Sequence, residues 1–561
     1  MDHPEFEVIE NDEEISIHFR RITPIYPATE GLSQRALRSI MYRVLQEVAD
    51  AAWEPIAPDN LVCGTRSEAI RAIHFPKNWE ARDAAREHLV LSEFFAMQIL
   101  IARRRADVVM RHGQVHCGSG ALLKKFLTSL PFELTAAQRK VLSEIRRDLA
   151  ANYPMNRLLQ GDVGSGKTVV AIAAMLLAGE AGYQTAFMAP TQILAEQHYD
   201  VLRRWLEPLR VRIALRTAAR QEETGPLPLF APQALPRDEP QIVVGTHALL
   251  YESVSFSNLG LAVIDEQHKF GVTQRARLTA REPVPDVLVM TATPIPRTLT
   301  MTIYGDLDLS TIDEMPGNRG KIVTAVRDTS ALGKVLRFLR TELARGRQLY
   351  VIYPLIDESD KLDAKAAAAE YDLWRERLHP FRCELLHGRM AAAEKHQIME
   401  CFRRGETHAL ISTTVLEVGI DVPNASVMLI ENAERFGLAQ LHQLRGRIGR
   451  GEHKSYCILL SSNQTPETSA KLAVLEGTTN GFEVAEADWE LRGPGDVLGT
   501  AQSGLPALKI GDLKRDTSLM RRARAAAMAV FETDPRLELP ENQRFRQLIV
   551  EEQGQSFSHV S

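Results

Sequence analysis

From about residue 121 onward, short apolar runs rich in β-branched residues alternate with stretches whose apolar positions recur at helical spacing. TAFMA, QIVVGT, LAVIDE and VLVMTAT fall before residue 310. QLYVIYPLI, CELLHG, HALISTT, SVMLIEN and YCILL fall between 311 and 465. This alternation predicts parallel strands joined by crossover helices, in two tandem α/β domains over 121–310 and 311–465. Upstream, at about 26–120, the spacing is helical. SQRALRSIMYRVLQEVADAAW starts at a candidate N-cap, Ser33, and EHLVLSEFFAMQILIARRR forms a second periodic run, so this stretch reads as a helical linker region. Residues 1–25 alternate polar and apolar side chains, as short strands do. Residues 218–240 carry a proline cluster and little periodicity, which predicts a surface loop inside the first α/β domain. At 466–561 a Gly-rich segment, LRGPGDVLGTAQSGLP, precedes a helical pattern, and together they read as a small third module.

A chain of 561 residues exceeds what one hydrophobic core usually serves, so three or four domains are expected. The formal net charge of -5 gives no strongly basic footprint, and any nucleic-acid role must rest on local motifs. Short basic runs (Arg103, Arg104, Arg105 and Arg111; Lys124 and Lys125) read as solvated helix faces. The five cysteines form no Cys-x-x-Cys pair, which predicts neither a zinc site nor a disulfide framework. The acidic opening MDHPEFEVIENDEE has no apolar core segment, and no stretch approaches membrane-spanning length. A chain of the reducing cytosol, without signal peptide or membrane anchor, is expected.

Three clusters carry chemistry. Gly161, Asp162, Val163, Gly164, Ser165, Gly166, Lys167 and Thr168 match G-x-x-x-x-G-K-[ST], between the apolar NRLLQ and the helical VVAIAAMLLAG. In that strand-loop-helix context the glycines let the backbone wrap phosphates, the helix N-terminus adds partial positive charge, Lys167 reaches the β and γ phosphates, and Thr168 coordinates Mg²⁺. A plain turn is the bland alternative, and the context speaks against it. Asp265 and Glu266 end the buried-strand run LAVI, where open α/β sheets bind ligands. Asp265 is expected to hold Mg²⁺ and Glu266 to orient or deprotonate water. An isolated acidic pair is more often a solvated loop end, but this one follows a full phosphate-loop motif by about 100 residues. Arg447 and Arg450, in QLRGRIGR, are expected on one helical face, positioned to reach a γ-phosphate held by the neighbouring domain. A solvated basic face is the alternative there, set aside because Gln443 and both glycines complete a pattern.

Further motifs follow in the order found in superfamily 2 helicases: Leu134-Thr135 with Gln138, Ala189-Pro190-Thr191, Gly245-Thr246-His247, Thr291 and Thr293, Leu386 to Met390, and Thr413 to Asp421. MNRLLQGDVGSGKT, DEQHKFGV, TATPIPRTL and AQLHQLRGRIGRG resemble the RecG family in particular, and the similarity runs through essentially the whole chain. The resemblance implies two RecA-like domains and a C-terminal translocation module. It implies ATP and Mg²⁺ as cofactors and an ATP-dependent helicase or double-strand translocase on branched DNA, serving recombination and repair. Gln138 would read adenine, and Gly419 and Asp421 would touch the nucleotide. Thr246 and Thr413 would contact DNA phosphates, while Thr291 and Thr293 would couple hydrolysis to movement. His268 and Gln443 belong with the coupling and DNA-contacting residues, and Arg492 and Gln502 mark the translocation motif.

Four departures stand out: Gln192 where RecG proteins usually have glutamate, Ala501 where a basic residue is common, the 218–240 loop, and a wedge domain reduced to its last strands at 1–25. A translocase whose junction remodelling is weakened or supplied by a partner is therefore expected. An ATP- or DNA-binding interaction module without unwinding is the alternative, and an RNA helicase is disfavoured by the translocation segment. Duplex or branched DNA is the expected partner, with single-strand DNA-binding protein as a further candidate, in a monomer of the bacterial cytoplasm.

Overall fold

The structure is a computed structural model. It describes residues 17–18, 21–27, 31–49, 55–111, 113–217, 220–224, 241–250, 256–266, 284–292, 296, 305, 307–317, 320–354, 362–388, 390–413, 422–449, 451, 453–463, 465–492 and 508–558. Contacts divide the chain into two compact units. One comprises residues 1–107, 298–306 and 494–561, and the other 108–297 and 307–493.

The larger unit holds two sheets. The first contains β1 (Asn156–Gly161), β2 (Gln184–Met188), β3 (Ile213–Arg216), β4 (Gln221–Glu223), β5 (Ile242–Gly245), β6 (Leu259–Ile264), β7 (Asp286–Thr291) and β8 (Asp308–Ile312), in the order β4-β3-β5-β2-β6-β7-β1-β8. All its pairings are parallel except β3 with β4. Strands β2, β5, β6 and β7 are buried throughout because helices cover both faces, which is why they read as unbroken apolar runs. The helix Lys167–Glu180 is buried along Val170–Ala178 and forms the centre of this core with Leu159, Phe187, Val244, Val263 and Leu288.

The second sheet contains β9 (Ile322–Asp328), β10 (Gln348–Ile352), β11 (Cys383–Leu386), β12 (Ala409–Ser412), β13 (Ala425–Ile430) and β14 (Ser455–Ser461), in the order β11-β12-β10-β13-β14-β9, all parallel. Apolar clusters lie around Tyr350, Phe402 and Leu441 and around Trp374, Val351 and Leu429. The α/β architecture with two parallel-sheet domains is therefore as expected. Helices Pro466–Gly477 and Gly481–Arg492 belong to this unit, whereas residues from 494 onward belong to the other, so the stretch expected as one C-terminal module is shared between the two. Part of the expected 218–240 loop is a strand: Glu223 accepts from Arg212 and Arg216, and β4 completes the sheet edge. Residues 218–219 and 225–240 lie outside the described residues.

In the smaller unit the Ser33 hydroxyl accepts from Ala36 N at 3.2 Å and caps the helix Gln34–Glu47, as expected. Thr65 and Glu68 form a reciprocal capping box on Arg66–His74. The helix Trp79–Val109 is buried on most sides from Leu89 to Ala102, because the helices Thr517–Thr533 and Gln543–Ser558 pack on it through contacts such as Phe95 against Phe545. Arg86 makes a bidentate bond to Asp516 at 2.7 and 2.8 Å. The Glu93 carboxylate accepts three successive backbone N–H groups, from Lys509, Ile510 and Gly511, at 2.5, 3.0 and 2.7 Å. Of the expected strand-like opening, residues 17–18 and 21–25 are described and carry no strand.

At the N-terminal end of β7, Asp286 accepts from Met155 N at 2.5 Å and pairs with His116 Nδ1 at 2.7 Å, both side chains fully buried. His116→Ala leaves the buried Asp286 carboxyl without its imidazole partner, with the Met155 N–H bond remaining. It is expected to cost about 3–5 kcal/mol in the denaturant transition of this unit, and an unchanged midpoint would show that the pair contributes nothing.

Candidate nucleotide-binding site

Strand β1 ends at Gly161 between β7 and β8, where the sheet order reverses direction relative to the chain, and ligand crevices form at the carboxyl ends of such strands. Gly161 is glycine for lack of room: an added Cβ would lie 2.6 Å from Ser165 Oγ and 3.2 Å from Ile312 O. The following loop turns through Gly164 at φ +82° and Gly166 at φ +86°, a region that only glycine enters cheaply, and Gly166 caps the helix Lys167–Glu180. Lys167 Nζ donates to Gly161 O at 2.8 Å and to Asp162 O at 2.9 Å. Ser165 Oγ is buried and has no hydrogen-bond partner among the described residues. A lysine on the loop's own carbonyls, an orphaned hydroxyl and a helix N-terminus make a donor set that fits a polyphosphate.

The loop is held from outside. Gln138 forms a capping box with Thr135 on the helix Ala136–Leu149, and its Nε2 donates to Ser165 O at 2.8 Å. The Asp162 carboxylate accepts from Val163 N at 2.6 Å, from Gly481 N at 3.0 Å and from His442 Nε2 at 2.5 Å. Val163 packs where a Cβ on Gly446 would need to be, at 2.8 Å.

Asp265 follows β6, its N–H bonded to Met188 O at 2.9 Å. Its Oδ2 pairs with His198 Nε2 at 2.9 Å and its Oδ1 accepts from Glu266 N at 3.1 Å. Glu266 sits at φ +54°, strained backbone for a residue with a Cβ. Burial pushes both carboxyls up. At Asp265 the bond and charge of His198, with Lys167 beyond, outweigh it and hold the group below its ordinary range. At Glu266 burial and the neighbouring Asp265 charge prevail over Lys167 and Arg447, and the group is raised. Burial lowers the Lys167 amine against the pull of Glu266, Asp265 and Asp162, and Arg447 adds to the lowering. The guanidinium carried by the second sheet is thus felt by Lys167 and Glu266 on the first.

Other expected site residues end strands or follow them. Thr291 closes β7 in register with Gln160, Thr246 follows β5, Thr413 follows β12, and Thr168 and Gln443 are half-buried. Arg447 is buried but not helical. The helix Leu438–Arg445 stops at Gly446, and Gly449 takes φ +76°, so Arg447 lies in a turn beyond the helix and not on the helical face expected for it. Arg492 ends a helix, with its side chain outside the description. His268, Thr293, Gly419, Asp421, Arg450 and Gln502 lie outside the described residues. His198, His442 and Arg445 were not anticipated. The only local hint is the i, i+3 spacing of His442 and Arg445 within the arginine motif.

Comparisons with known proteins agree with this geometry. The DEAD/DEAH box helicase family matches residues 135–302 and the helicase conserved C-terminal domain matches 330–452, which together define the class as a two-sheet helicase. A third match, to the C-terminal part of domain 3 of the ATP-dependent DNA helicase RecG, covers 478–557. The RecG of Synechocystis sp. is 46% identical over 96% of this chain and 65% of its own length. That of Escherichia coli K12 is 42% identical over 95% of this chain and 79% of its own. A solved structure of RecG bound to a three-way DNA junction superposes with a TM-score of 0.67 at 40% identity, over 89% of this chain and 66% of that one. The chain belongs to the RecG family, and it spans about two thirds of the length of the Synechocystis relative.

Gly166→Ala puts a side chain at φ +86° directly against Gln138 Nε2. A stability loss of about 1–2 kcal/mol is expected, together with weaker binding in a fluorescent-nucleotide titration. Wild-type affinity in this variant would show that the loop is not the binding element.

Proposed function

We propose that this chain is an ATP-dependent motor on double-stranded DNA, acting on branched junctions and forks in recombination and repair. The observation that carries the reading is the buried site in which Lys167, Asp265 and Glu266 of the first sheet feel the Arg447 charge of the second. The RecG structure on a three-way junction supports the choice of DNA.

In this reading the loop from Gly161 to Thr168 holds the phosphates and Gln138 lies beside it for the base. Thr168 and Asp265 offer the hydroxyl and carboxylate oxygens that suit Mg²⁺, which when bound neutralises phosphate charge. Glu266, the raised carboxyl, takes a proton from the attacking water, while Asp265 stays ionised beside it; the two neighbours thereby divide the work. Arg447 stabilises charge developing on the transferred phosphoryl group, so hydrolysis depends on the second sheet being in place. Gly419, Asp421 and Arg450 complete the nucleotide site. Thr246, Thr413 and Gln443, with His268, Thr291, Thr293, Arg492 and Gln502, contact DNA and couple hydrolysis to movement. Contacts to phosphate position the duplex without reading sequence. No described helix is long and apolar enough to cross a membrane. We place the protein in the bacterial cytoplasm as a monomer, with single-strand DNA-binding protein as a further partner.

Steady-state hydrolysis is expected to rise with linear duplex and with a fork but not with RNA, and to vanish in Lys167→Ala; stimulation by RNA alone overturns the reading. Binding to duplex should fall linearly in log-log terms as salt rises.

Because Glu266 is raised and Asp265 lowered, Glu266 protonates first as pH falls. The acid limb of kcat is therefore expected above the ordinary glutamate value, and Glu266→Gln should lose it together with about 10²–10⁴ in rate. Arg447→Ala should lower kcat by about 10³ or more with little change in KM; a change confined to KM would contradict its placement.

A further inference from the structure

His198 is carried by the helix Gln192–Leu206, outside both the phosphate loop and the acidic pair that follows β6. Its Nε2 lies 2.9 Å from Asp265 Oδ2, and the two side chains are only 13% and 14% exposed. Asp265 is held below the ordinary carboxyl range, and an ionised carboxylate can only accept, so Nε2 carries the hydrogen between them. The other oxygen, Oδ1, accepts from Glu266 N at 3.1 Å. An aspartate carboxylate otherwise turns over a broad range about its terminal torsion. With one donor on each oxygen this carboxylate is held in a single orientation, and each oxygen keeps a lone pair for a further partner.

Both partners are anchored to the same strand. The His198 ring packs on Phe187 of β2, with centroids 4.5 Å apart, and Phe187 is fully buried. The Asp265 main chain donates to the carbonyl of Met188, the next residue of that strand, at 2.9 Å. Strand β2 is itself paired on both sides, with β5 and β6. The Thr191 hydroxyl caps the helix by accepting from Leu194 N, so the helix that carries His198 starts at a fixed point just beyond β2. A group that binds a cation needs such support outside its own oxygens, from a partner whose position is set by packing. Rigidity of this kind also discriminates between cations. Mg²⁺ takes a near-octahedral set of oxygens and tolerates little departure from it, whereas the larger Ca²⁺ takes more oxygens in irregular arrangements and readily chelates a carboxylate through both of its own. A carboxylate that cannot turn suits the first and denies the second its adjustment.

We propose that His198 is a positioning residue that fixes the Asp265 carboxylate in one orientation and thereby sets the preference of the nucleotide site for Mg²⁺ over Ca²⁺. Without the imidazole N–H, Oδ2 is released, the carboxylate turns about its terminal torsion, and the site accommodates the less demanding cation. Phe187 and Met188 hold the two partners in register. This rests on the reading of Asp265 as a cation ligand given above.

The test is a titration of fluorescent ADP onto the full chain in Mg²⁺, in Ca²⁺ and in EDTA, with the melting transition of each variant recorded alongside. His198→Phe keeps a ring against Phe187 and removes the donor. The wild type should bind ADP more tightly in Mg²⁺ than in Ca²⁺, and in His198→Phe the ratio of the two affinities should fall by about tenfold or more, with the affinity in EDTA unmoved. His198→Gln, whose amide nitrogen reaches the place of Nε2, should restore the ratio. His198→Asn, too short to reach Asp265, should lose it as His198→Phe does, and stands in should the phenylalanine variant fail to fold. An undiminished ratio in His198→Phe or His198→Asn overturns the proposal. So do a parallel loss of affinity in all three media, which a merely structural role would give, a glutamine variant that restores nothing, and a wild type without preference between the two cations. Equal affinity of the wild type in EDTA and in Mg²⁺ overturns instead the cation-ligand reading of Asp265 beneath it.

Discussion

A loop that offers backbone N–H groups to an anion can spend only some of them on its own shape, as Val163 N and Ser165 N do on Asp162. The segment from Gly161 to Gly166 meets this constraint by borrowing its scaffold. Gln138 grips the Ser165 carbonyl from one side, Ile312 crowds Gly161 from another, and Asp162 is fixed by residues from the second sheet and the helix beyond it. Each support reaches in from a different part of the chain, which ties the loop's shape to the assembly of the whole unit. The buried pairs elsewhere, Asp265 with His198 and Asp286 with His116, follow the same economy, in which a group removed from water is given a partner at the moment of folding.

The electrostatics of the site depend on that arrangement. Asp265 and Glu266 are sequence neighbours with the same chemistry, yet His198 on the helix Gln192–Leu206 holds Asp265 down while burial and the Asp265 charge raise Glu266. Without the second sheet, the Arg447 charge would be missing from the balance at both Lys167 and Glu266. Separation of acid and base roles is therefore a property of the folded pair of sheets, not of the acidic dipeptide.

How far this was legible in the sequence follows from the range of each interaction. Strands β2, β5, β6 and β7 are covered on both faces, and their apolar runs declare them. Strand β8, DLSTI, and β9, IVTAVRD, are only partly covered and carry polar residues, so no such run marks them. The phosphate loop was readable because its requirements, glycine at φ +82° and +86° and lysine next along, are met within eight residues. The hydrogen bond from His442 to Asp162 joins residues 280 positions apart, and nothing local announces it. Arg447 was expected on a helix because the spacing suited one, although Gly446 and Gly449 already carried the breaker signal that the structure obeys.

The clamp made by Glu93 has a consequence for variation among related chains. One carboxylate collects three consecutive amides, and amides are common to every residue except proline. Substitutions at Lys509 and Ile510 can therefore accumulate without disturbing the grip, provided that proline is avoided, whereas Gly511 has Phe94 within 2.5 Å of where a Cβ would go. An insertion or deletion just before this stretch would slide the wrong amides onto Glu93. Selection there should act on chain length more than on residue identity, leaving a fixed spacing with little motif to mark it.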